Sequence, residues 1–250
     1  MTPPVFWVDD VPRAGETAVV TGPEGRHAVT VTRIRDGEPV VLGDGRGTRA
    51  ECTVTEVSGK DRMTVRADRV DFVERRSPLV TIVQALPKAE RSELAVDLMT
   101  EAGVDAIVPW QSARSIARWS GAKAAKGVDK WRATAATAAK QARRAWIPEV
   151  HDLSATIAVR DLCGRVHAEG GVVALLHEAG STPFRSVDFT GAPEVVFVIG
   201  PEGGLTDQEV SDLTALGGRS VVLGPQVLRT AAAGAVALGA LGAVTDRWDR

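Results

Sequence analysis

The chain is poor in cysteine: Cys52 and Cys163 are its only two, far apart and in no paired motif. Two isolated thiols exclude a disulfide-stapled scaffold and fit a reducing compartment. No apolar run approaches the roughly 18 uncharged residues a membrane helix needs, which excludes a helical span. The opening Met-Thr-Pro-Pro-Val-Phe-Trp lacks the basic and apolar blocks of a secretion signal, so the expected location is the cytoplasm. Cofactor and metal signatures are scarce as well. The glycine run at 200–204 is followed by no Gly-Lys-Ser/Thr and lacks Gly-x-Gly-x-x-Gly spacing, so it is neither a phosphate-cradling loop nor a dinucleotide fingerprint. His27, His151, His167 and His177 share no ligand spacing with one another or with the cysteines, and no metal is expected. No Gly-x-Ser-x-Gly turn offers a nucleophilic serine.

What is present is enough for a sizeable core: 250 residues, 44% of them hydrophobic, make one large α/β domain or two smaller ones. The net charge of −2 conceals an asymmetry. Between Gln111 and Ile147 nine basic side chains stand against Asp129 alone, whereas from Pro148 onward seven basic residues face 13 acidic ones. A basic block inside an acidic chain points to a polyanionic partner. The same run also reads as a solvated helical surface.

Alternation and turn punctuation place short strands at 5–8, 17–20, 27–31, 39–42, 50–57 and 63–70, with glycine turns at 36–37 and 43–47. Many short strands and no long helix predict a small β-barrel. After Pro78 the rhythm changes. Strands at 79–86, 106–109, 172–176, 195–199 and 220–223 alternate with helices at 89–102, 129–144, 206–216 and 229–244. That alternation predicts an α/β domain with a mainly parallel sheet covered on both faces. Two domains follow, 1–74 and 75–250.

Three strand ends carry the chemistry. They are Leu176-His177-Glu178, Ile199-Gly200-Pro201-Glu202-Gly203-Gly204, and Leu223-Gly224-Pro225-Gln226-Val227-Leu228-Arg229. Ligands of open parallel sheets bind outside the carboxyl ends of strands. Glycine there exposes bare N–H and C=O groups that can read an adenine edge. The plainer reading is that each glycine makes a tight strand-to-helix turn. The last helix is nearly all small residues, Ala231 to Ala240, a surface for close packing on the sheet or for a dimer contact.

At these residues the sequence resembles the SPOUT-class, trefoil-knotted RNA methyltransferases, and more closely the 16S ribosomal RNA uridine-N3 methyltransferase family. The likeness covers nearly the whole chain. Its most specific pieces are Ile199 to Leu205 with Glu209, and Leu223 to Thr230. His27-Ala28 with Arg33 and Gly37, Leu42 to Gly45, Leu86-Pro87-Lys88, Thr100 to Val104, Ser112 with Arg114, and Gln141 with Arg144 and Pro148 support it. The chain departs from the family at Ala231-Ala232-Ala233, where Glu-Thr-Ala is usual, and at Ala113 and Leu98, where Glu and Lys are frequent.

The resemblance implies a PUA-like barrel that helps hold RNA, then a knotted domain that binds S-adenosylmethionine, releases S-adenosylhomocysteine and forms a homodimer. It implies methylation of uridine N3 in 16S ribosomal RNA, in an assembled small subunit, with no membrane association. Another base or a ribose as target, and a non-catalytic RNA-binding relative, are the alternatives. The cofactor is then expected at Leu176, His177, Glu178, Ile199, Gly200, Glu202, Gly203, Leu223, Gly224, Val227 and Leu228. Arg229, just past a cofactor loop, is the candidate for stabilising charge on the uracil; a structural arginine at a helix start is the alternative. Phosphate contacts are expected from Arg114, Arg118, Arg143 and Arg144, joined by Arg26, Arg33, Arg46 and Lys88.

Overall fold

The computed structural model describes residues 2–249, the side chains of Ala89 and Glu90 excepted, so Met1 and Arg250 at the ends of the two expected domains lie outside the described residues. The chain divides into two compact units. One comprises the residues up to Arg75 together with Ala139–Ile147; the other comprises Arg76–Ala138 and the residues from Pro148 onward.

The first unit is a curled five-stranded sheet. Its strands are β1 (Val5–Trp7), β2 (Thr17–Val20), β3 (Pro39–Gly43), β4 (Thr48–Ser58) and β5 (Arg62–Phe72), in the order β1-β3-β4-β5-β2. Period-two alternation sends Ala50, Cys52 and Val54 of β4 and Met63, Val65 and Ala67 of β5 into a core shared with Phe6 and Leu42. Register shifts at Glu51/Cys52 and Val54/Glu56 mark bulges, which sharpen the twist. This curled sheet fits the small β-barrel that the alternation predicts.

One expected strand is absent. Residues 27–31 are helical: α1 (Gly22–Arg26) runs directly into a π-helical turn, His27–Thr32. Pro23 starts that helix, Ala28 buries its one apolar face, and Arg33 ends it in the left-handed region at φ 60°. The β-branched run Val29-Thr30-Val31 therefore follows its tertiary setting rather than its strand propensity.

A second difference concerns a segment of the expected second domain, while the division at Arg75/Arg76 falls beside the expected boundary. The segment 139–147 packs with the first unit although it lies inside the expected second domain. Gly47 N donates to Ala145 O at 3.1 Å, Ile147 N to Gly45 O at 2.9 Å, and Trp146 Nε1 to Val73 O at 2.7 Å. Gly45 and Gly47 make this approach possible, since a Cβ at either would overlap Ile147 or Trp146.

The second unit has a seven-stranded sheet, all parallel. Its strands are β6 (Leu79–Ala85), β7 (Ala106–Trp110), β8 (Glu149–Val150), β9 (Val172–Leu176), β10 (Thr182–Pro183), β11 (Glu194–Ile199) and β12 (Arg219–Val222). The order is β10-β12-β9-β11-β6-β7-β8. The helices are α2 (Ala89–Glu101), α3 (Ala122–Gln141), α4 (Thr156–Ala168), α5 (Asp207–Ala215) and α6 (Thr230–Val244). Strand β11 shows why the sequence reads as an unbroken apolar run. Val195, Phe197 and Ile199 belong to the core under α2 and α6, while Val196 and Val198 belong to the core under α4 and α5.

Small residues let α6 lie close to the sheet. A Cβ at Gly234 would stand 3.1 Å from Ile82 Cδ1 and 3.3 Å from Ile199 Cδ1. The main basic helix begins at Ala122 and ends at Gln141, earlier at both ends than the expected 129–144. Helix α4 has no counterpart in the sequence reading.

Strand β12 sits between β9 and β10, which are consecutive in the chain. The link 177–181 must therefore cross the carboxyl end of β12. It does so at contact distance: His177 N donates to Val221 O, and a Cβ at Gly180 would fall 2.8 Å from the Val221 carbonyl carbon. This crossing over the end of β12 is compatible with the knotted domain that the resemblance implies, a rare exception to the rule that chains do not thread their own loops.

Candidate active site

Strands β12, β9, β11 and β6 are neighbours, so the loops leaving them converge at one end of the sheet. There they enclose a cavity of about 520 Å³, of the size small-molecule sites have. All three glycine-bearing loops line it. Leu176, His177 and Glu178 come from the first, Ile199, Gly200, Glu202 and Gly203 from the second, and Leu223, Gly224, Val227 and Leu228 from the third, with Arg229 beside them.

The glycines differ in what they do. At Gly203 and Gly224 a Cβ would meet nothing closer than 3.5 Å and 3.8 Å, so their backbone lies open to an occupant. At Gly200 a Cβ would stand 3.1 Å from Gly204 C and Leu205 N; here glycine serves the loop's own fold.

Side chains outside the expected cofactor set hold the loops in place. Thr230 opens α6, donates to Gly200 O at 2.7 Å and accepts from Gln84 Nε2 at 3.0 Å. Both residues are buried. The available signal was Gln84 itself, a polar residue in an apolar strand that needs a buried partner. Glu209 is also buried; it closes a capping box with Thr206 at the start of α5 and accepts Ala113 N at 2.9 Å. Its carboxylate thus ties the segment after β7 to the loop after β11. Arg114 doubles that link, donating through Nη1 to Gly203 O at 3.2 Å and Leu205 O at 2.9 Å.

The cavity wall carries cations and anions in equal number, Arg91, Arg114 and Arg229 against Glu178, Glu202 and Asp207. Glu202 accepts Lys88 N, while the exposed Arg229 guanidinium engages no partner among the described residues. Among those residues no cluster of three or more His, Cys, Asp or Glu could hold a metal, and no helix is long and apolar enough to cross a membrane.

Comparison with known proteins matches residues 75–242 to a family described as an RNA methyltransferase domain, and residues 20–68 to an RNA methyltransferase PUA domain. The chain belongs to this RNA methyltransferase family. A Mycobacterium bovis relative, ribosomal RNA small subunit methyltransferase E, is 47% identical over 245 residues, covering 98% of this chain and 93% of the relative. The Bacillus subtilis protein of that description is 32% identical, covering 92% and 91%. Among solved structures, ribosomal RNA small subunit methyltransferase E of Neisseria gonorrhoeae, bound to S-adenosyl methionine, superimposes with a TM-score of 0.84 at 26% identity, covering 97% and 98%. A methyltransferase of Legionella pneumophila with bound cofactor gives 0.83 at 29% identity, covering 98% of each chain.

The eight basic residues singled out for RNA are divided between the two units of this methyltransferase. Lys88, Arg114 and Arg118 lie in the second; Arg26, Arg33, Arg46, Arg143 and Arg144 lie in the first. All are exposed except the half-buried Arg144. Several are partly committed within the fold. Arg118 donates to Ser112 O and Ala113 O, Arg46 to Asp9 O, and Arg143 to Thr2 O. A guanidinium has five N–H donors, so these bonds leave some free to face a phosphate.

Proposed function

We propose that this methyltransferase moves the methyl group of S-adenosylmethionine to N3 of a uridine in small-subunit ribosomal RNA. The observation that carries the reading is the meeting of three glycine-bearing loops and Arg229 around one 520 Å³ cavity, in a chain of an RNA methyltransferase family. The relatives named for small-subunit ribosomal RNA, and the neighbouring structure bound to S-adenosyl methionine, support the substrate and the cofactor.

The residues present fit that cofactor. The open backbone at Gly203 and Gly224 leaves room for a flat base against N–H and C=O groups, and Leu176, Ile199, Leu223 and Leu228 supply apolar walls. Bound there, S-adenosylmethionine supplies a methyl group activated toward nucleophiles.

What the protein adds is alignment and charge. Uracil N3 must shed its proton to attack, and the negative charge spreads over the two flanking oxygens. Arg229, on the cavity wall and without a partner among the described residues, offers a planar fork able to reach two such acceptors. It cannot take the proton, because guanidinium stays protonated. Arginines outside the cavity would hold the RNA backbone, and a second copy of the chain would join through the second unit.

Mass-spectrometric mapping of small-subunit ribosomal RNA from a strain lacking the gene tests this directly. One N3-methyluridine should disappear and return on complementation. A full set of methylated nucleosides in the deletion strain would reject the reading, and loss of a ribose or other base methylation would replace the N3 assignment.

A further inference from the structure

The first unit has a cavity of its own, about 480 Å³, which methyl transfer at the other site leaves unused. Cross-strand pairing dictates what meets there. Trp7, Gly43 and Arg49 form one row across β1, β3 and β4, and Val5, Val41 and Glu51 form the next. Their chain neighbours Phe6, Leu42 and Ala50 point into the core, so these two rows face the opposite way. Arg143 and Arg144, from the segment 139–147 that joins this unit, line the same space.

Each part has a chemical consequence. A Cβ at Gly43 would stand 2.9 Å from the indole of Trp7, so glycine lets that ring lie over the row. Val5 and Val41 make an apolar floor. Arg49, whose Nε is buried with no hydrogen-bond partner, lines the cavity and brings a cationic group to it. Arg143 holds φ 55° just past the end of α3, where glycine is the usual residue, so what distinguishes this choice is its guanidinium. Two carboxylates share the rim. Asp68 is occupied by Thr53 and Arg66, whereas the carboxylate of Glu51 engages no partner among the described residues.

An aromatic face, a cationic cluster and one free carboxylate together match a nucleotide. We propose that this groove takes a single unpaired, amino-bearing nucleotide of an RNA strand. The base stacks on Trp7, its amino group donates to Glu51, and its phosphate lies against Arg49, Arg143 and Arg144. Glu51 sets the selectivity: a carboxylate only accepts, so it favours guanine and disfavours uracil, whose edge is flanked by two carbonyl oxygens. The inference rests on the reading that RNA is the partner and adds a second anchor in the other unit.

Fluorescence anisotropy with labelled single-stranded RNA tests it on the full chain. The probes are octauridylate, the same octamer carrying one guanosine, and guanosine 5′-monophosphate as competitor. The guanosine octamer should bind on the order of tenfold more tightly than octauridylate. The monophosphate should compete only weakly if a strand is the occupant; competition at equal concentration would assign the groove to free nucleotides and overturn the RNA assignment. Trp7→Leu should lose the preference. Glu51→Gln, at an exposed position, should lose it without touching the fold. Arg143→Gly relieves a left-handed residue while removing a phosphate contact, so it should weaken both octamers and flatten their salt dependence. Folded variants that bind both probes like the parent would overturn the proposal. Methyl transfer by the same proteins separates the two readings: a parent that binds guanosine in the groove yet methylates no RNA sinks the proposed function alone.

Discussion

Thr230 and Gly200 are joined by a hydrogen bond of 2.7 Å, hydroxyl to carbonyl, and the same hydroxyl accepts from the buried amide of Gln84. The bond fastens the start of α6 to the loop after β11, two walls of one cavity. Thr230→Val keeps the shape and removes both bonds, leaving a carbonyl and an amide hydrogen short of a partner. The expected cost is about 1–3 kcal/mol of stability, read by urea unfolding, with weaker S-adenosylmethionine binding by calorimetry. Thr230→Ser should restore both. Unchanged cofactor affinity in the valine variant would show that the rest of the loop holds Gly200 unaided.

How much of this was legible in the sequence depends on what each signal measures. The three loops were legible because glycine after an apolar run marks a strand end, and strand ends of a parallel sheet share one side. Their convergence on a single cavity required the order β12-β9-β11-β6, which local pattern does not encode. Helix α4 was illegible because its buried stripe is only Val159, Cys163 and Val166, with Gly164 lowering its propensity. Residues 27–31 looked like a strand because β-branched residues alternate there; Pro23 and the burial of Ala28 decide otherwise. The allegiance of 139–147 to the first unit rests on Gly45 and Gly47, a contact nearly 100 residues away in sequence.

The buried pair Arg247–Asp105 makes a separate prediction about stability. Arg247 Nη2 lies 2.7 Å from Asp105 Oδ2, and the guanidinium also donates to the carbonyls of Arg76, Pro78 and Gly103. Asp105 accepts from Val80 N at the start of β6, so the C-terminal turn is fastened to the sheet. Arg247→Met strands a buried carboxylate and should cost about 3–5 kcal/mol. Adding Asp105→Asn should recover part of that loss. Urea unfolding followed by tryptophan fluorescence reads both, and additive losses would mean the two side chains act independently.

The two thiols give a pH signature. Burial pushes Cys52 up from 9.0 to about 11, and burial followed by the charge of Glu194 pushes Cys163 up to about 12. Both are thus neutral at pH 8, and thiolate is the reactive form, so alkylation should be slow in the native protein and rapid once it unfolds. The sign for stability follows from proton release. Above about pH 9 the unfolded chain gives up these protons while the folded one keeps them, so stability is full below that pH and falls as pH rises toward 11 and 12. Urea midpoints between pH 8 and pH 10 should fall less in a Cys52→Ala/Cys163→Ala variant. Equal slopes would remove the thiols from the alkaline loss.

Arg229 separates holding the cofactor from acting on the uracil. It lies at the start of α6 on the cavity wall, exposed and without a partner among the described residues, whereas Gly203 and Gly224 offer open backbone to an occupant. If its guanidinium stabilises the uracil anion, Arg229→Ala should lower turnover by a factor on the order of 10²–10³. Cofactor affinity should scarcely move. Arg229→Lys should rescue poorly, because an ammonium lacks the planar fork that spans two acceptors. Raising the pH should restore part of the alanine variant's rate, since more uracil is then already deprotonated, and this response distinguishes charge stabilisation from a role in folding. A variant that methylates at the parent's rate would reduce Arg229 to a helix-start residue. One that loses S-adenosylmethionine binding would place it among the cofactor's ligands, and the charge on the uracil would then have to be met by another cation on the cavity wall, Arg91 or Arg114.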